Sequence, residues 1–94
     1  MKPDIVIHDS SDSVGVAVVE GIETGQDLTV WVMDTNESRS MKAQEPIPLG
    51  HKIALVDLAR GDTLIKYGYD IGLVTDDIST GHHVHIHNVK TKKW

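Results

Sequence analysis

Three copies of one short pattern limit what this chain can fold into: Ile22-x-x-Gly25-x-x-Leu28, Leu58-x-x-Gly61-x-x-Leu64 and Ile78-x-x-Gly81-x-x-Val84. In each, an apolar residue anchors the entry, glycine takes a positive φ angle, and an apolar strand leaves. In the last two copies an acid, Asp57 or Asp77, stands just before the anchor. The copies are unequally spaced, which argues for a hairpin-rich β fold over a solenoid. Composition agrees: Phe is absent, aromatics make up 4%, and short Val- and Ile-rich runs alternate with glycines. No window keeps helical periodicity for three turns. The expected fold class is mainly β, of short strands and glycine turns with at most one or two short helices. The helical candidate is His51 to Arg60, closely bracketed by Gly50 and Gly61, and it reads either as a strand with an exit turn or as a single short helix.

In order, Asp4 to His8 reads as a short strand ended by the turn-rich Asp9 to Ser13. Val14 to Val19 is too uniformly apolar for a half-exposed position and is expected to lie centrally. Leu28 to Met33, with Trp31 inside it, is a further strand, and Trp31 and Tyr67 are read as packing residues. The polar stretch Asp34 to Gln44 is the expected mobile loop, and Glu45 to Pro48 an extended connector, because each proline fixes φ. With 94 residues the chain is read as one domain. It buries roughly 60 to 65% of its unfolded surface, with little room for a deep cavity. A partner that completes any active site is therefore expected.

Several function classes recede on chemistry alone. The net charge of -5 argues against nucleic-acid binding, since the only basic cluster is Lys90, Lys92 and Lys93. With no cysteine, thiolate metal sites and disulfides are excluded. Met1 runs directly into Lys2, Pro3 and Asp4 with no long apolar segment behind, so neither a secretory signal nor a membrane span is expected, and a cytoplasmic location is the default.

The concentrated chemistry lies near the end, where His82, His83, His85 and His87, four of the six histidines, crowd together. On a strand His83, His85 and His87 would share one face, and His82, Val84 and Ile86 the other. Same-face neighbours lie ~7 Å apart, close enough for two imidazoles to converge on one metal ion or one anion.

Taken together, Pro48-Leu-Gly-His-Lys-Ile-Ala-Leu55, Asp57-Leu-Ala-Arg-Gly61, Ile65-Lys-Tyr-Gly68 with Ile71-Gly72, Gly81, and the ending His83-Val-His-Ile-His-Asn88 resemble the small SAF-type (β-clip) domain of the altronate and galactarate dehydratase family. The resemblance runs from His8 to the end. In that family the small domain is often fused to a large dehydratase domain, so a chain ending at Lys90-Thr-Lys-Lys-Trp94 is expected to be a separate small subunit or a detached domain. Its ending is most similar to the small subunits of the branch that cleaves sulfolactate to pyruvate and sulfite.

The resemblance implies a lyase subunit, inactive without a large dehydratase-type subunit, acting on a small anionic hydroxy acid. It implies a divalent metal, iron or manganese, held by imidazole and carboxylate. The site residues it implies are His85, His87, His51 and Lys52, with His85 and His87 as metal ligands. His83 is placed at the rim, His82 in a turn, and His8 as a structural histidine. Lys52, Lys66, Lys90 and Lys92 are available to attract a dianion. Trp94, a terminal aromatic after lysines, is expected to dock on a partner, making 90–94 a docking tail. Two other readings stay open: a sugar-acid dehydratase subunit of the altronate and galactarate type, and a stand-alone metal- or ligand-binding module. A pure adaptor with incidental histidines is the third.

Overall fold

Each copy of the glycine pattern folds alike. Gly25, Gly61 and Gly81 have φ of 86°, 94° and 87°. Each sits third in a four-residue turn closed by a backbone bond, from Gln26 N to Glu23 O, Asp62 N to Ala59 O, and His82 N to Ser79 O. That is the type II arrangement, which favours glycine at its third position. Each glycine N–H then reaches out to another segment, to the carbonyls of Ala43, Val74 and Ala54 respectively. A fourth copy, Ile47-Pro-Leu-Gly50-His-Lys-Ile53, behaves identically, with Gly50 at φ 81° and bonds from His51 N to Pro48 O and from Gly50 N to Ala17 O. The anchors meet in pairs as isolated bridges, Ile22 with Ile47 and Leu58 with Ile78. In the second pair the acids are reciprocal: Asp57 Oδ1 accepts the Thr80 N–H and Asp77 Oδ1 accepts the Arg60 N–H, each at 2.8 Å.

The computed structural model describes residues 2–66 and 69–91. Among them are nine strands and no helix: β1 (Ile5–Ile7), β2 (Val14–Ala17), β3 (Asp27–Val32), β4 (Glu37–Lys42), β5 (Lys52–Ala54), β6 (Thr63–Lys66), β7 (Tyr69–Val74), β8 (His83–Val84) and β9 (Val89–Thr91). The mainly β class is therefore correct, and His51 to Arg60 takes the strand-and-turn alternative. A six-stranded sheet runs β4-β3-β1-β2-β5-β8, and a three-stranded sheet runs β6-β7-β9. All pairs are antiparallel except β1 with β3.

β2 lies inside the larger sheet and is buried on both sides, which explains its uniform apolarity. Ala17 joins a core with Ile5, Ile7, Leu28, Val30 and Ile53, while Val14 joins a second core with Ala54, Leu64, Val74 and Val84. Residues on β5 divide the same way, Ile53 into the first core and Ala54 into the second. Side-chain alternation along a strand covered on two faces produces this. Gly15 leaves room for the Ile5 and Ile7 side chains, whose Cγ2 methyls a Cβ there would overlap.

Two expectations change. The stretch Asp34 to Gln44, read as a loop, holds β4, paired with β3 from Asp27↔Lys42 through Val32↔Glu37. As an outer strand with nearly every side chain in water it needs no apolar alternation, so no period was present to read. Trp31 is not a core residue. It lies on the face of β3 opposite Leu28, Val30 and Val32, with its Nε1–H donating to Asn36 Oδ1 at 3.0 Å. Tyr67 and the basic end with Lys92 and Trp94 fall outside the described residues.

Candidate functional site

Two of the four glycine turns deliver the histidines. The turn Pro48–His51 ends on His51 and opens β5, and the turn Ser79–His82 opens β8. β5 and β8 pair antiparallel with Lys52↔Val84 and Ile53↔His83. Continued by one residue, that register sets His85 opposite His51. Directly opposed residues project from the same face, so His51, His83 and His85 gather just beyond Ile53. Their rings stack, with centroids 4.0 Å apart for His51 and His85, 4.9 Å for His51 and His83, and 5.7 Å for His83 and His85.

The alternation expected of the histidine run holds only as far as Val84. A turn over His85 to Asn88 follows, in which Asn88 N and Val89 N both donate to His85 O. Ile86, which strict alternation would bury, stands 85% exposed at its tip. His87 is also exposed and meets His83 at 5.1 Å with its ring tilted 41°. Asn88 fixes the turn from inside. Buried to 8% exposure, its Oδ1 accepts the His85 N–H at 2.9 Å while its Nδ2 donates to the His83 carbonyl at 2.8 Å. One side chain thus ties together the backbones of two of the clustered histidines.

Three ring nitrogens, one each from His51, His83 and His85, lie within 4.8 Å of one another. His51 Nδ1 and His83 Nε2 are 2.7 Å apart, so one of the two carries the proton between them. Burial, followed by the charges of His51 and His87, lowers the His83 pKa from its ordinary 6.5, with Glu45 opposing. His85 is lowered from the same value by desolvation and then by His51, Lys52 and His87. Both shifts favour the neutral imidazole, the form that binds a metal ion or accepts a proton.

Such a donor set suits a divalent transition metal: three imidazoles, half-buried and already convergent. The expected pairing of His85 with His87 is not the arrangement found. His85 groups with His51 and with His83, the residue assigned to the rim. Lys52 alternates away from His51 on β5 and lines an apolar groove with His85 and Val84.

Glu45 escaped the sequence reading. Its Oε1 accepts the His83 N–H at 2.6 Å and lies 3.5 Å from His82 Nδ1. It comes from a segment 38 residues away in sequence, and nothing local marks it. His82 ends a turn, as expected, and His8 lies half-buried at the end of β1, away from the cluster.

Among the described residues no helix is long and apolar enough to cross a membrane. The chain matches the family model for the altronate/galactarate dehydratase SAF domain over residues 3–92. It is 54% identical over 94 residues to the (2R)-sulfolactate sulfo-lyase subunit alpha of Chromohalobacter salexigens, covering 100% of both chains. To the (2R)-sulfolactate sulfo-lyase subunit alpha of Paracoccus pantotrophus it is 49% identical over 67 residues, 71% of this chain and 98% of that one. It is also 38% identical over 91 residues to altronate dehydratase of Bacillus subtilis, covering 97% of this chain but 17% of that protein. This chain therefore belongs to the altronate/galactarate dehydratase SAF-domain family.

Proposed function

We propose that the chain is the alpha subunit of a (2R)-sulfolactate sulfo-lyase, contributing its histidine group to a site that a larger subunit completes. The observation that carries this is the 54% identity to such a subunit from end to end of both chains. The reaction is a β-elimination. A base takes the proton from the carbon bearing the carboxylate and hydroxyl, the C–C double bond forms, and the C–S bond breaks with its electron pair leaving on sulfite. The resulting enol returns a proton to carbon and becomes pyruvate.

His51, His83 and His85 would hold a divalent ion, iron or manganese, which when bound supplies polarisation of the substrate's carboxylate and hydroxyl. His87 stands outside that triad beside His83 and is the imidazole left to exchange a proton with the substrate. The Lys52 charge, already felt at His85, draws the dianion towards the histidines. A cytoplasmic enzyme is the setting we assign. The test is to purify this chain with its large subunit and assay sulfolactate for sulfite beside altronate and galactarate for water loss. Sulfite release that disappears when this chain is omitted supports the reading. The second reading, a sugar-acid dehydratase subunit, is favoured by the 38% identity to altronate dehydratase, and dehydration of either sugar acid without sulfite release would select it.

A further inference from the structure

Ile86 is the most exposed large apolar side chain among the described residues, at 85%, where no other exceeds 50%. It projects from the turn after β8, which is the outer strand of its sheet and two residues long. Leaving an isoleucine in water forgoes the free energy of burying it. Beside it runs a groove of about 140 Å3 lined by Lys52, Leu64, Ile71, Val84, His85 and Val89. That volume is below the ~300 Å3 at which small-molecule sites begin, and away from Lys52 and His85 its walls are mostly apolar, from Leu64, Ile71, Val84 and Val89. They suit an apolar protein side chain. His85 belongs both to this groove and to the ring stack with His51, so whatever fills the groove sits against the histidines.

The relatives point to the occupant. In the Bacillus altronate dehydratase, the region similar to this chain is 17% of the protein, and the rest of the molecule is covalently attached. In the two alpha subunits it is 100% and 98% of the chain, and their name, subunit alpha, sets such a chain beside another polypeptide. We infer that Ile86 and its groove are the surface on which that partner subunit, the counterpart of the remaining length of altronate dehydratase, seats an apolar side chain and so covers His51, His83 and His85. The inference rests on the subunit reading above and deepens it.

The experiment measures the affinity of the purified large subunit for the full chain and its variants, together with sulfite release at saturating subunit. Because Ile86 is exposed, Ile86→Ser and Ile86→Glu leave the fold and melting temperature of the chain unchanged. Their affinity is expected to fall about 10- to 100-fold, with turnover for Ile86→Ser recovering at saturation. Met33→Glu, at the far end of β3, leaves affinity unchanged. Wild-type affinity in Ile86→Glu overturns the inference, whatever the substrate. So does a turnover defect in Ile86→Ser that saturation does not repair, which would place Ile86 against the substrate. Self-association of the chain abolished by Ile86→Glu, with binding of the large subunit intact, would make a second copy the occupant and overturn it as well. A complex that depends on Ile86 but dehydrates a sugar acid would keep the interface and overturn the sulfo-lyase reading.

Discussion

His83 is held at its ring, its N–H and its carbonyl. Its ring shares a proton with His51, its N–H is held by Glu45 and its carbonyl by Asn88. Because burial and neighbouring charge hold its pKa below 6.5, the unfolded chain takes up a proton before the folded one does as pH falls. The stabilisation from neutral His83 is complete above that value and is lost as pH drops below it. The melting temperature of the chain is therefore expected to decline on acidification below about pH 6.5, and more shallowly in His83→Gln. An identical slope in the variant would contradict this. Asn88→Ala strands the His83 carbonyl and the His85 N–H in a buried setting, and the expected loss is about 1 to 3 kcal/mol, read by chemical denaturation. Divalent-metal affinity, read by calorimetry, should fall in the same variant, because two of the three imidazoles lose their common tie. Sequence reasoning found His83, His85 and His87 because they stand together in the chain, and His51 through the family resemblance. It set His83 at the rim although alternation puts it on the same face as His85, because the pairing of β8 with β5, which brings His51 beside both, is not written in the run itself.

At the scale of elements, the glycine turns decide where the histidines point. Gly50 and Gly81 share a positive φ, yet a Cβ on Gly50 meets nothing within 4 Å, whereas on Gly81 it would stand 2.6 Å from the Lys42 carbonyl oxygen. Gly50→Ala is expected to cost about 1 to 2 kcal/mol for the left-handed backbone alone. Gly81→Ala should cost clearly more, since the β4 end must also move, and it should weaken metal binding by displacing β8. Equal losses in the two variants would contradict the packing argument. The recurring turn was legible in three places because the apolar offsets repeat. Its fourth copy was hidden by Pro46 and Pro48, which suggested an extended connector. β4 was illegible for the opposite reason: an outer strand in solvent is under no pressure to alternate, and only its pairing with β3 defines it.

For the whole molecule, two sheets and two small cores hold three convergent imidazoles at one outer edge. The sequence anticipated this from length alone, since so small a domain cannot both bury its cores and surround a substrate. On the proposed reading the chain supplies part of a site and a partner subunit supplies the rest. His51 tests this most directly, because it belongs to the triad without lining the groove beside Ile86. The decisive measurement is sulfite release from sulfolactate by the purified two-subunit complex carrying His51→Ala, at saturating concentrations of both chains. The expected result is no release from either subunit alone, release from the unaltered pair, and a fall of about 100-fold or more in the variant with assembly intact. Undiminished release from the His51→Ala complex, or release from the large subunit by itself, would contradict the account.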